Sequence, residues 1–298
     1  MQAHQRTHAR GVDVSSWQGT VDWPSVRAAG YSFAFLKASE GVGYTDPAYA
    51  RNVAGARSAS LVAGAYHFAR PDATPGDAER EAAYFASVVK AGEPPDMLAV
   101  DLEAGALDRA AMTEWAVAFL EATESAFPGV RVAVYCGPAF ITQRLAPPRL
   151  ARWPLWLVEY TSAPAPGAVP GWTDWTFWQW SNAGSVPGVR VRVDLDEFAG
   201  SEAELRAWIR GAEGVAGKGL PLLVAGDTGL AVQVLQRLLA DRGYYRLAVD
   251  GIFGEGTLGA VKAFQAARKL TVDGRVGDQT WGALAATRAN GQESASDA

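Results

Sequence analysis

Asp101 and Glu103 stand two residues apart at the end of a near-continuous apolar run, Met97-Leu98-Ala99-Val100. Such a run reads as a strand buried on both faces, the kind found in parallel sheets. Side chains alternate along a strand, so the two carboxyls project to one side, about 7 Å apart along the backbone. That arrangement fits the acid and the stabilising carboxylate of a glycosidase, and barrel enzymes place their chemistry at the C-terminal strand ends. Taken by itself the stretch could equally be solvated strand-end polarity. Asp13, at the polar end of GVDVSS, is a further strand-end carboxylate. In VDLDE, alternation puts Asp194 and Asp196 on one face, and the choice between them stays open. Glu40 closes another apolar run, YSFAFLKASE, as a site or rim charge.

The elements that must hold these residues recur in order. Strands are expected at 11–15, 31–37, 61–68, 97–101 and 130–135, the first four followed by helices near 22–30, 46–59, 75–90 and 108–127. A short fifth helix is expected near 138–145. Pro24 in the first turn and Asp22 as cap suit the first helix. Pro128-Gly129 closes the fourth. From 155 the pattern changes. LWLVEY (155–160), WTFWQW (175–180) and VRVRVDL (189–195) read as strands joined by Pro/Gly-rich loops with little room for helices. Five β-α units followed by three strands make an α/β fold, a modified (β/α) barrel lacking its last helices, closed by a helix at 201–210.

Composition excludes several classes of function. The chain has 298 residues, 49% hydrophobic and 20% charged, an ordinary globular balance. A net charge of −5 argues against nucleic acid as partner. No apolar run approaches the roughly 18 residues that a membrane span needs. Cys136 is the single cysteine, which excludes an intrachain disulfide framework and reads as a buried, inert thiol. The three histidines have no metal-ligand spacing, so no metal and no cofactor is expected. His4 and His8 fall in residues 1–10, which read as a mobile tail without the apolar core of a secretory signal. His67 points opposite to Tyr66 in its strand and reads as structural.

Residues 211–222, GAEGVAGKGLPL, are Gly-rich and aperiodic, a linker. Beyond them VDGIFGEGT (249–257) recurs as VDGRVGDQT (272–280), each copy followed by an apolar helix and both served by a helix at 230–242. Two copies make a small three-helix module, expected at 223–288, rather than a solenoid. Asp250-Gly251 and Asp273-Gly274 look like turn formers. The polar segment 289–298 reads as a disordered tail.

GVDVSSWQG, FLKASEG, GAYHFARP, LAVDLEA, LWLVEY, FWQWS and VDLDEF, in this order and spacing, resemble glycoside hydrolase family 25, the muramidase-type lysozymes, over residues 11–198. GDTGLAVQVLQ, VDGIFGEGT and VDGRVGDQTW resemble the common three-helix peptidoglycan-binding domain. The resemblance implies cleavage of the β-1,4 bond from N-acetylmuramic acid to N-acetylglucosamine in bacterial peptidoglycan, by a monomer. Glu103 matches the general acid and Asp101 its partner, while Asp13 and Asp194 match two further acidic positions. Tyr66, Tyr135, Trp156, Tyr160 and Gln179 match pocket-lining positions. Two departures touch substrate preference: Asp196 stands where members often carry Asn, and Val158 where they often carry a small residue.

Neighbouring negative charge is expected to raise the pKa of Glu103 and leave Asp101 ionised. A chitinase-like hexosaminidase and a catalytically dead wall-binding protein are the competing readings. The acidic series before Asp101 that a chitinase usually carries is replaced by Leu98-Ala99-Val100, and the four acidic positions together disfavour a dead enzyme. A chain of this kind without a leader would act at the wall either as a phage endolysin released through a pore or as a trimmed secreted enzyme.

Overall fold

The computed structural model describes residues 1–210 and 222–285. The expected linker, apart from Leu222, and the expected tail 289–298 lie outside the described residues. The chain divides into two compact units, Met1–Glu202 and Ala203–Ala298.

In the first unit the strands are β1 (Arg10–Val14), β2 (Tyr31–Glu40), a two-residue β3 (Tyr44–Thr45), β4 (Val62–Phe68), β5 (Met97–Asp101), β6 (Val132–Cys136), β7 (Leu155–Val158), β8 (Phe177–Gly184) and β9 (Val193–Phe198). Their order is β1-β9-β8-β7-β6-β5-β4-β2-β3, and β1 also pairs with β2, so eight strands close a barrel with β3 as an appendage. Strands β1 to β8, β3 aside, run parallel; β9 runs antiparallel to both β8 and β1. The reversal has a length cause. A parallel return needs a crossover of about a dozen residues or more, and the segment between Gly184 and Val193 is shorter and holds a turn from Val186 to Val189. That turn also corrects the expected strand at 189–195. Val189, Arg190, Val191 and Arg192 alternate like a strand, yet the chain straightens only at Val193.

The helices that cover the barrel include α1 (Trp23–Ala28), α2 (Tyr49–Ser58), α3 (Asp77–Lys90), α4 (Arg109–Ala126) and α5 (Pro138–Arg144). Asp22 caps α1 through the Ser25 amide, and Asp108 caps α4 through the Ala111 amide at 2.8 Å. A further helix, α6 (Glu202–Arg210), follows β9.

Two apolar layers sandwich the sheet. Outward residues such as Val12, Leu36, Leu98 and Val134 join the helices in one cluster. The inward positions hold rings instead: Phe35 stacks on Trp156 at 3.9 Å between centroids and meets Phe177 edge-on at 5.0 Å, while Phe33 meets Phe177 at 5.4 Å. Room for those rings comes from glycine. A Cβ on Gly11 would lie 2.2 Å from Phe33 Cε2, and one on Gly64 2.6 Å from Phe35 Cδ1. Gly11→Ala is therefore expected to cost about 1–3 kcal/mol by overpacking. A thermal midpoint equal to wild type would show that the Phe33 ring yields freely.

Residues 1–9 are not a mobile tail. Ala9 N–H donates to Gly200 O and its carbonyl accepts from Phe198 N–H, while Gln2 exchanges hydrogen bonds with Trp175. Both His4 and His8 bond the buried Glu197 carboxylate through Nδ1. The segment takes up the polar outward groups of the β8–β9 region, which no helix of the β-α series serves.

In the second unit α7 (Leu230–Asp241), α8 (Glu255–Ala267) and α9 (Asp278–Ala285) surround Val232, Leu235, Phe253, Val261, Phe264 and Trp281. The sequence repeat is two braces that share four hydrogen bonds. Gln236 Nε2 donates to Asp250 Oδ1, Ile252 O and Thr257 Oγ1, and its Oε1 accepts from Gly251 N–H. Gln265 makes the same four bonds to Asp273, Arg275, Thr280 and Gly274. Asp250 and Asp273 each accept the amide two residues on, the turn-forming role read from the sequence.

Candidate active site

The inward side chains at the C-terminal ends of the parallel strands converge with the start of β9. Because β9 is antiparallel, its first residues lie at this same end: Asp194 pairs in register with Asp13, and Asp196 with Gln179. Asp13, Tyr66, Asp101, Tyr135, Gln179 and Asp196 are all buried, Asp194 is half-buried and Glu103 is exposed. Strand β5 ends at Asp101, but the alternation continues: Leu102 is fully buried in the outer cluster and Glu103 returns to the cleft side. The sequence reading of a same-face pair is thus realised with one carboxyl sunk in the barrel mouth and the other standing above it.

The environments of the pair differ from expectation. Burial first, and the Glu103 charge second, push Asp101 well above the ordinary carboxylate range. Its Oδ1 is buried without a hydrogen-bond partner among the described residues. Glu103 is raised too, but by partial burial rather than by neighbouring carboxylates, and the nearby cations Lys37 and Arg70 oppose the rise. Those two cations were not picked out from the sequence, although both lie inside the quoted motifs FLKASEG and GAYHFARP. Glu40 gathers them: Lys37 Nζ donates to its Oε2 at 2.5 Å, and Arg70 Nε and Nη2 to its Oε1 at 2.9 and 2.6 Å. Burial would raise Glu40, yet these bonds hold it below its usual value. Glu40 therefore stays charged and fixes the cations.

Opposite, a hydrogen-bonded chain lines the cleft. Tyr135 and Tyr160 hydroxyls donate to Gln179 Oε1 at 3.0 and 2.7 Å, Gln179 Nε2 donates to Asp13 Oδ2 at 2.7 Å, and Trp156 Nε1 donates to Asp196 Oδ1 at 2.8 Å. The fate of Trp156 narrows its expected part. It is 1% exposed, stacked on Phe35, so it supports the floor rather than offering a face. Tyr66 meets Trp156 edge-on at 6.1 Å. Exposed aromatic surfaces at this end include Tyr160 and Trp17, 50% and 83% exposed. Asp194 is raised to about 6, by burial first and the Glu103 charge. Asp196, left undecided against Asp194 in the sequence, is the deeper of the two and is held by Trp156.

Two groups near the mouth stay out of it. His67 faces away, its Nε2 on Glu81 at 2.7 Å and its Nδ1 on the Ser39 hydroxyl at 2.9 Å, and burial lowers its pKa. Cys136 is buried, its thiol pushed up by desolvation. No helix among the described residues is long and apolar enough to cross a membrane.

A barrel whose C-terminal mouth is lined by an exposed glutamate over a buried aspartate, with aromatic rims, has the parts of a glycoside hydrolase. Comparison with known proteins agrees. The model for glycosyl hydrolases family 25 matches residues 12–189, and that for a peptidoglycan binding domain matches residues 228–284. Lysozyme M1 of Streptomyces globisporus is 36% identical over 210 residues, 66% of this chain and 70% of the relative. The autolytic lysozyme of Clostridium acetobutylicum is 32% identical over 265 residues, 86% of this chain and 72% of the relative. Among solved structures, a bacterial lysozyme from Streptomyces coelicolor superposes with a TM-score of 0.55 at 31% identity, covering 69% of this chain and 99% of that one. This chain belongs to glycoside hydrolase family 25, and a peptidoglycan-binding domain follows its barrel.

Proposed function

We propose that the barrel hydrolyses the β-1,4 bond between N-acetylmuramic acid and N-acetylglucosamine in bacterial peptidoglycan, with retention and with help from the substrate's own 2-acetamido group. The observation that carries this reading is the unpartnered, buried Oδ1 of Asp101 beneath the exposed Glu103. A direct nucleophile would need reach to the anomeric carbon. A lone inward acceptor suits the N–H of a 2-acetamido group held against it. Glu103, whose affinity for a proton is raised by its partial burial, gives that proton to the leaving glycosidic oxygen as the acetamido oxygen attacks the anomeric carbon. Asp101 acts in its ionised form, which Lys37 and Arg70 favour: it accepts the acetamido N–H and opposes the positive charge developing on the ring. Water then opens the oxazolinium ring as the Glu103 carboxylate takes its proton, which restores the acetamido group and the acid. Tyr160 and Trp17 offer rim surfaces for sugar faces. Digestion of defined peptidoglycan, with product stereochemistry followed by NMR, tests the reading; new reducing ends on N-acetylglucosamine, or an initial α-anomer, would refute it.

The second unit serves as the wall anchor. Residues 219–290 carry eight Lys and Arg against six Asp and Glu, too slight an excess for electrostatic tethering alone. Binding is expected to rest on shape, to survive moderate salt, and to act through effective concentration on an insoluble substrate. A chain ending at Gly217 should keep its rate on soluble muropeptides and lose much of its rate on intact walls. Equal rates of both chains on walls would remove the anchoring role.

A further inference from the structure

The hydrogen-bond chain opposite the catalytic pair ends in two buried acids with no cation beside them among the described residues. Gln179 is oriented by two phenol hydroxyls that donate to its Oε1, so its amide N–H must face Asp13, whose Oδ2 must accept. The Trp156 indole can only donate, so Asp196 Oδ1 must accept as well. What remains is Asp196 Oδ2, buried and, among the described residues, without a partner other than the Asp13 carboxyl. Two ionised carboxyls here would face each other while fully buried, an arrangement with no compensating charge. A single proton shared between Asp196 Oδ2 and the Asp13 carboxyl gives that oxygen its partner.

We infer that Asp196 is a positioning residue that shares one proton with Asp13, and that this proton holds Gln179, Tyr135 and Tyr160 in the arrangement that lines the sugar site. The inference rests on the muramidase reading of the cleft. The charged and titratable groups facing the pair are acidic on every side. Asp194 on β9 acts on both members, Tyr66 on β4 and Tyr135 on β6 feel the charge of Asp13, and Tyr160 after β7 feels both. Lys37 and Arg70 serve Asp101, Glu103 and Glu40 instead. Burial, with the charge of Asp194, pushes Asp196 up to about 8, and burial and its acidic neighbours push Asp13 upward too. The pair thus keeps its proton through neutral pH, and its protonation falls only in alkaline solution, from about pH 8 upward where Asp196 titrates. Then two facing charges would pull Asp13 off Gln179 and loosen both tyrosines.

The sign of the linkage gives a readout independent of hydrolysis. A carboxyl raised in the folded state binds its proton more tightly there than in the unfolded chain, where carboxyls titrate at about 4. Its contribution is therefore complete below about 4 and lost as the pH rises through about 8. Asp196→Asn replaces the shared proton by an amide N–H that cannot be titrated away, and its carbonyl still accepts from Trp156. The thermal midpoint of the wild type should fall between pH 5 and pH 9 relative to that of Asp196→Asn. On soluble muropeptides, wild-type KM should rise above pH 8 by up to about tenfold per pH unit, and the variant's KM should stay flat. The alkaline loss of kcat, set by Glu103, should be common to both. Parallel stability curves together with parallel KM profiles would overturn the shared proton. Should the variant fail to fold, a carboxyl ¹³C resonance of the wild type titrating near 8 supports the pair, and its absence refutes it. A wild type that cleaves no peptidoglycan at any pH yet shows the stability trend would refute the muramidase reading and leave the pair standing.

Discussion

Glu103→Gln is expected to leave a folded protein that still binds cell walls and to lower turnover of peptidoglycan by about 10²–10⁴-fold, the usual worth of a positioned proton donor. The substitution keeps the shape of the side chain and removes only the transferable proton. It should cost little stability, because Glu103 lies past the end of β5, exposed to the cleft, and the core beneath it is closed by Leu102. The pH profile sharpens the test. A general acid must be protonated, so wild-type activity should decline as the pH rises through the raised Glu103 value, and the residual activity of the variant should lack that decline. Burial rather than a neighbouring carboxylate does most of the raising, so Asp13→Asn should move this limb little. Near-wild-type turnover of Glu103→Gln would end its assignment as the acid.

Most of the barrel was legible because its strands are sealed on both faces. Met97 to Val100 and Val132 to Tyr135 must be apolar to sit between the helices and the ring-filled interior, and an unbroken apolar run is what a reader can see. The first carboxylate after such a run is then placed at the mouth by alternation alone. Where the outer face lacks a helix, the signal fades. Val189 to Arg192 alternates like a strand but is spent on a turn, and nothing local in HQRTH announces that His4 and His8 close on Glu197, nearly two hundred residues away. The same holds for the small unit. Asp-Gly marks its turns, but the glutamines that brace them precede those aspartates by 14 residues in one copy and 8 in the other, so no fixed spacing reveals them. Site electrostatics were the least legible part. Whether Asp101 or Glu103 is the more strongly raised depends on which one the barrel buries, and the Lys37–Glu40–Arg70 cluster assembles only when β2 pairs with β4.

Replacing Asp101 separates the two ways in which its carboxylate could serve. Asp101→Asn is expected to reduce turnover by about 10²–10³-fold, the scale of losing one preorganised group aimed at developing charge. Asparagine can still accept the acetamido N–H through its carbonyl, so KM should change less than kcat. What is lost is the negative charge that opposes the positive charge of the ring. Asp101→Ala removes the acceptor as well and should be slower still. Added azide then decides between mechanisms. If the acetamido group is the nucleophile, the anomeric carbon is already covered on that face, and azide can enter only after the oxazolinium has formed, giving a product of retained configuration or none. If Asp101 were itself the nucleophile, its removal would leave an open face for azide, and a glycosyl azide of inverted configuration would accumulate with rescue of the rate. The buried, unpartnered Oδ1 favours the first outcome, because an acceptor sunk 7% exposed in the barrel mouth is placed to hold an amide against the ring rather than to replace it at the anomeric carbon.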